Sequence, residues 1–333
     1  MVSTSPARES ASSGPNITTL VLGAGASRSV SYAPDRSIPS FLDRDFVELL
    51  QRLCCKNERD QRAVERVIQW AVGRVGDRLW GSMERLFYTV YLRATLKESV
   101  FRESAGEAKR VLSAFKRAIQ ALLREAHGKE TCGHHSFLVS KLQPDDAIIS
   151  FNYDLVPERS LRQVHEKKVG FGPWVYGFAE PLRRRKAPVL LKLHGSVNWV
   201  ERDEFPFGVK TKKWADFSRQ PGYSAGGLPI LLPYWDKRVE DPPWCDLWRM
   251  AARQLKQTER LIIWGYSLPL TDLKADALFR MACAAEDCPL REVFVIDPST
   301  EAYERWRSNF VRKRCRHYSR IEDFIYDPLI WRS

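Results

Sequence analysis

Four short segments, far apart in the chain, carry residue types that can hold and cleave a nucleotide: Val21-Leu-Gly-Ala-Gly-Ala-Ser27, Ser150-Phe-Asn-Tyr-Asp154, Lys192-Leu-His-Gly-Ser196 and Trp264-Gly-Tyr-Ser-Leu-Pro269. Each follows a short apolar run of strand type. Each therefore falls where an α/β sheet presents loops at the carboxyl ends of its strands, the side on which such sheets bind nucleotides. Phosphate oxygens accept hydrogen bonds, and glycine lets backbone amides approach them because it lacks a Cβ and tolerates positive φ. Gly23 and Gly25 suit that task, and Ser27 adds a hydroxyl donor. Arg28 stands where the dehydrogenase fingerprint Gly-x-Gly-x-x-Gly has its last glycine, which argues against hydride transfer. Cleavage of a glycosidic bond passes through an oxocarbenium-like state and uses a positioned acid or histidine, with polar groups on the ribose hydroxyls. Asn152 can donate and accept at once. His194, with an unperturbed pKa of about 6.5, can take a proton near neutral pH. Asp297, ending the run Val293-Phe-Val-Ile296, has the placement of a ribose-binding acid. Singly, each has a plain structural reading, as an Asx turn, a packed turn histidine or a strand exit. Together and in this order they point to a site.

The order and content of these segments resemble the sirtuin superfamily, in particular the sirtuin-like domains of bacterial antiphage defence systems, from about Ile17 to about Pro298. The resemblance implies that Gly23, Ala24, Gly25 and Ser27 cradle the phosphates of NAD. It makes Ser37-Ile-Pro-Ser-Phe41 a degraded form of the loop beside the nicotinamide, and Asn152 and His194 the catalytic pair. Asp154 would orient ribose or a neighbouring loop, Gly265 and Ser267 match the later Gly-x-Ser segment, and Asp297 would meet the adenosine ribose. The run Ser267 to Asp272 is closer to the defence subgroup than to histone-type deacylases. Deacylating sirtuins also carry a zinc module of two Cys-x-x-Cys pairs. The seven cysteines here, at 54, 55, 132, 245, 283, 288 and 315, contain no such pair, and the six histidines have no ligand-like spacing, so no metal is assigned. The resemblance thus implies an NAD+ hydrolase that takes NAD+ as substrate, releases nicotinamide and ADP-ribose, and depletes cellular NAD+ on infection. The alternative is a catalytically silent NAD or ADP-ribose sensor, or a scaffold for a defence partner. Expected partners are a second copy of the chain, or a protein encoded nearby such as an ATPase, a nuclease, a nucleotide-processing or an argonaute-like protein, with any nucleic acid reached through it.

The chain has 333 residues, 44% of them hydrophobic and eleven of them Trp, enough for one large α/β domain with an insertion. No apolar run approaches the roughly 18 residues of a membrane span, and the first residues lack a signal pattern, so a cytoplasmic protein is expected. Scattered, unpaired cysteines agree with that compartment. The net charge of +12 gathers in runs such as Arg183-Arg-Arg-Lys186 and Arg312-Lys-Arg-Cys-Arg316, read either as a partner-binding field or as a solvated face.

Residues 1 to about 16, rich in Ser, Ala and Pro, read as a disordered tail, and 17–333 as one domain. Strands are expected at Ile17 to Leu22, Ala147 to Ser150, Pro188 to Leu193, Leu228 to Pro233, Arg260 to Trp264 and Glu292 to Ile296. Apolar residues at helical spacing between about 43 and 130 predict a helical insertion, read as a cap over the nicotinamide end or as a packing or oligomer contact. Further helices are expected at about Asp246 to Gln257, Leu273 to Ala285 and Glu301 to Arg312, and a loop-rich flap at Asn198 to Gly227. The alternation predicts a doubly wound, mostly parallel Rossmann-like sheet.

Overall fold

A computed structural model of the chain describes residues 16–28, 38–39, 41–74, 82–95, 105–127, 131–165, 173–176, 187–200, 208–209, 230–231, 239–240, 244–283, 288–310 and 312–331. Nearly all of the expected tail, the run Arg183 to Lys186 and most of the expected flap lie outside these residues. Strands β1 (Thr18–Leu22), β2 (Ala147–Ser150) and β3 (Val189–Lys192) precede a small antiparallel pair, β4 (Trp199–Val200) and β5 (Gly208–Val209). Then follow β6 (Arg260–Trp264), β7 (Glu292–Ile296) and β8 (Arg314–Tyr318). Six of them make one sheet in the order β3-β2-β1-β6-β7-β8, every pairing parallel. The chain steps outward from β1 to β3, returns to lie beside β1, and steps outward again, so the strand order reverses between β1 and β6. In open α/β sheets that reversal opens a crevice at the carboxyl ends of the strands.

The central strands are apolar over most of their length rather than alternating, because both faces of the sheet are covered. Val21 aligns with Ile149 and then Leu191 on one side and with Ile263 and then Val295 on the other, a row with every member buried. Helices α1 (Ala24–Arg28), α2 (Phe46–Arg52), α3 (Glu58–Arg74), α4 (Met83–Thr95) and α5 (Ala105–His127) follow β1. The last four pack around an apolar core of their own, with Phe46, Val67, Leu86, Phe115 and Leu122 at its centre. Helices α6 (Gly133–Lys141), α7 (Val156–His165), α8 (Trp244–Gln257), α9 (Leu273–Cys283), α10 (Thr300–Asn309) and α11 (Ile321–Ile325) cover the sheet. Their apolar faces, including Leu138, Leu161, Leu247, Phe279, Trp306 and Phe324, join the sheet core.

Two expectations need correction. Residues 314–318 are a sixth strand. The sequence Arg-Cys-Arg-His-Tyr hides it because an edge strand keeps its charge: Glu292 on β7 faces Arg314 and Arg316 at 3.6 and 3.7 Å, and Arg316 lies over the Phe294 ring. These two arginines of the basic run are therefore held by the sheet. Helix α10 ends at Asn309, short of Arg312, so that the chain can turn into β8. Of the strand expected at Leu228 to Pro233, only Ile230 and Leu231 are described; Ile230 forms an isolated bridge to Gly195. Helices α6 and α7 escape the periodicity reading because α6 is short and opens on Gly133-His-His, while α7 opens on Val156-Pro157. Among the described residues, no helix is long and apolar enough to cross a membrane.

Candidate functional site at the strand-order reversal

At the reversal two backbone turns are pressed together. Gly23 donates its N–H to the Trp264 carbonyl at 3.0 Å, and Gly25 donates to the Gly265 carbonyl at 2.9 Å. A Cβ on Gly23 would lie 2.4 Å from the Gly265 oxygen, and one on Gly265 would lie 2.0 Å from the Ala26 nitrogen. Gly265 also has φ +63°, the left-handed region that penalises other L-residues. Glycine is thus dictated at both turns by their mutual contact. Gly265→Ala is expected to lower stability by about 2 kcal/mol or more, since the φ penalty and a backbone overlap add. A denaturant midpoint unchanged from the parent chain would refute this account of the turn.

Asn152 ties the β2 loop to this turn. Its side-chain amide donates to the Gly23 carbonyl at 2.7 Å and to the Ser27 hydroxyl at 3.2 Å. Ser27 in turn donates to Asp154 Oδ2 at 2.7 Å, and Asp154 Oδ1 accepts from the Val156 N–H at 2.9 Å, which starts α7. All three side chains are buried. Burial would raise the Asp154 carboxyl, but His127, Lys192, the Val156 amide and the Ser27 hydroxyl outweigh it and hold it below the usual range. Below Asp154 lies Lys192, fully buried, whose Nζ donates to the Asp154 carbonyl and, at 3.0 Å, to Glu158 Oε1. Glu158 also receives the Tyr176 and Ser196 hydroxyls at 3.2 and 3.3 Å.

His194 sits across from this network at the end of β3, 7% exposed. Its Nε2 faces Asp272 Oδ2 at 3.4 Å, and the same oxygen accepts from the Tyr266 hydroxyl at 2.7 Å. Phe151 packs edge-on against the His194 ring at 5.0 Å and stacks on Tyr266 at 4.0 Å. The Phe151 ring and the Asp272 carboxylate therefore fix the imidazole. Burial and then Asp272 push the Tyr266 hydroxyl well above its ordinary range, so it stays protonated and can donate. Asp272 stands immediately before α9, and its carboxylate is engaged with His194 and Tyr266. The insertion touches both loops: α5 through Gln120 to the Val197 carbonyl at 3.5 Å, and α4 through Glu84 to Thr271 at 2.9 Å.

The remaining candidates lie at the margins. Ser267 is half-buried and its carbonyl accepts from Arg305 at 3.0 Å, while Leu268 beside it has φ 49°. Asp297, at the end of β7, accepts from the Ser299 N–H at 2.9 Å, an Asx turn before α10; burial raises its carboxyl above the usual range. Ala24 is exposed at the start of α1. Of the segment Ser37 to Phe41, residues 37 and 40 lie outside the described residues, and Ile38 is buried in the insertion core. The structure therefore links Gly23, Gly25, Ser27, Asn152, Asp154 and Gly265 in one hydrogen-bonded set. It places His194 on the neighbouring loop and leaves Ala24, Ser267 and Asp297 outside the set. Among the described residues no group of His, Cys, Asp and Glu is arranged to hold a metal ion, and the seven cysteines are free thiols.

The chain matches no protein-family model and no curated protein. Solved structures with a similar chain path include a Sir2 homologue in complex with NAD, 14% identical over 93% of this chain and 86% of that one, with a TM-score of 0.40. Others are a Sir2, p53 peptide and NAD+ complex, 11% identical over 93% and 90% with a TM-score of 0.38, and Sir2Tm bound to a propionylated peptide, with the same identity, coverage and score. All three are distant likenesses.

Proposed function

We propose that this chain is an NAD+ hydrolase that releases nicotinamide and ADP-ribose as an effector of bacterial antiphage defence. The observation that carries the catalytic part is the meeting of the Gly23–Gly25 turn, Asn152 and the His194–Asp272 pair at the carboxyl end of a parallel sheet where its strand order reverses. The defence setting comes from the motif resemblance alone.

In this reading the two glycine turns hold the pyrophosphate, with Asp297 toward the adenosine ribose, and the nicotinamide riboside lies over Asn152 and His194. Helices α2 to α5 act as a cap over that end, a role favoured by the Gln120 and Glu84 contacts to the two loops. The bond from the ribose anomeric carbon to the pyridinium nitrogen breaks, and its electron pair neutralises the ring. A water oxygen bonds to that carbon. His194 takes the released proton, and Asp272, 3.4 Å from its Nε2, stabilises the imidazolium that forms.

Free nicotinamide released from NAD+ by the purified chain, alone and with proteins encoded beside it, tests the reading. Asn152→Ala is expected to lower that release by roughly a hundredfold or more. Near-parental turnover in that variant would remove Asn152 from the chemistry. One observation favours a silent binding module: the Asn152 amide donors and the Ser27 hydroxyl are already satisfied within the protein. Tight NAD+ binding by calorimetry without any nicotinamide release would select that second reading.

A further inference from the structure

A groove of about 730 Å³ runs between α3 and α5, in the helical stretch away from the sheet. Arg59, Arg62 and Arg66 form one wall, at positions i, i+3 and i+7 of a single helical face. Lys109, Arg110 and Arg117 form the other. Ala63 and Ala114 floor it, so nothing bulky stands between the two rows of cations. Among the described residues its lining holds no acidic and no aromatic side chain.

Three of these cations are steadied by anions outside the groove: Arg62 by Glu58 at 2.6 Å, Arg110 by Glu107 at 2.7 Å and Arg117 by the buried Asp60 at 3.2 Å. Arg59, Arg66 and Lys109 are exposed and have no ion-pair partner among the described residues. Like charges at such spacing repel and oppose the packing of the two helices. A polyanion in the groove would reverse that repulsion.

The geometry selects the kind of anion. From Arg59 to Arg66 the wall runs roughly 10 Å at about 1.5 Å per helical residue. That matches about three phosphates at the roughly 3.4 Å axial spacing of one nucleic-acid strand. Guanidinium forks suit phosphate oxygens, and five of the six cations are arginines. An extended acidic peptide turns successive side chains to opposite sides, whereas a phosphodiester strand offers its charges along one ridge. With no aromatic platform in the lining, bases have nothing to stack on. We propose that the α3–α5 groove binds the sugar-phosphate backbone of a nucleic acid without regard to base sequence.

This site stands apart from the sheet-edge loops and is tested by binding alone. Fluorescence anisotropy of a short labelled oligonucleotide, single-stranded and annealed, is followed with the full chain between roughly 50 and 200 mM salt, the range over which phosphate contacts lose most affinity. A triple variant, Arg59→Gln with Arg66→Gln and Lys109→Gln, alters only exposed side chains, and a melting curve checks that it folds. Three lost contacts at about 0.7 each should reduce the slope of log K against log salt by about 2 on a single strand. Affinity should fall at least roughly tenfold at the lower salt. If the triple variant fails to fold, Arg59→Gln alone should still reduce the slope by about 0.7. Binding of either form that is lost in the variant supports the proposal, and the tighter form identifies the source. Absence of binding at low salt, unchanged binding by the variant, equal binding of polyglutamate, or full competition by tripolyphosphate at matched phosphate would each overturn it.

Discussion

His194→Ala is expected to lower nicotinamide release by at least about a hundredfold, the usual effect of removing a positioned proton acceptor, while NAD+ affinity changes only a few-fold. The reason is spatial separation. The elements assigned to the phosphates and adenosine are the turns around Gly23, Gly25 and Gly265, whose contacts do not involve the imidazole. The imidazole faces Asp272 and Phe151 instead. Asp272→Asn should fall between parent and His194→Ala in kcat with KM little changed. It keeps an acceptor for the Tyr266 hydroxyl but withdraws the charge that stabilises the imidazolium. The competing account makes His194 a packed turn residue beside Gly195. In that case His194→Ala would lose roughly 1 kcal/mol of stability and keep its turnover. Calorimetry, a melting curve and an activity assay on the same variant separate the two. A destabilised but active variant would dispose of the catalytic role.

The fold was largely legible in the residues because a parallel sheet covered on both faces leaves continuous apolar runs. Ala147 to Ser150, Arg260 to Trp264 and Glu292 to Ile296 match their strands residue for residue. β8 was illegible for the opposite reason. As an edge strand it is half-exposed and answers to Glu292 and Phe294 as well as to Tyr303 of α10 and Phe324 of α11, so its sequence keeps charge. At the site, the glycines, Asn152 and Asp154 could be picked out, but their local use could not. Gly23 and Gly25 were read as letting phosphates approach a chain without a Cβ, while only the chain path shows that Gly23 and Gly265 each lack one because of the other. Ser27 was read as a phosphate contact and Asp154 as orienting ribose or a neighbouring loop; only the chain path shows that the two side chains meet each other across 127 residues. Asp272 was noted as the end of the run from Ser267, and its partner His194 is 78 positions earlier, beyond any periodicity. Lys192 was noted only as the first residue of the segment through Ser196, and its burial against Glu158 shows only in the chain path.

Lys192→Met is expected to cost about 3–5 kcal/mol of stability, the usual penalty for removing one member of a buried ion pair. Methionine fills a similar volume, so the loss reports the charge rather than a cavity. Without Lys192, Glu158 keeps only two hydroxyl donors in a site with no solvent. Burial already raises the Glu158 carboxyl, and Lys192 is the main influence pulling it back, so its loss sends the carboxyl higher. The sign of the pH dependence follows. A folded-state carboxyl raised above its unfolded value of about 4.3 keeps its proton after the unfolded chain has released it. Stability then falls as pH rises through that window and returns as pH falls. The defect in Lys192→Met should therefore be smaller near pH 5 than near pH 8. Removing Lys192 also lifts the Asp154 carboxyl, because Lys192 is one of the groups that hold it down, and that change acts in the same direction as the rise at Glu158. Adding Glu158→Gln should restore part of the loss, because a neutral amide can still accept the Tyr176 and Ser196 hydroxyls. A Lys192→Met defect equal at both pH values, and unrelieved by Glu158→Gln, would mean that the lost donor to the Asp154 carbonyl dominates. The penalty would then lie in the loop that holds Ser27 and Asn152, and turnover at temperatures where the variant is folded would fall with it.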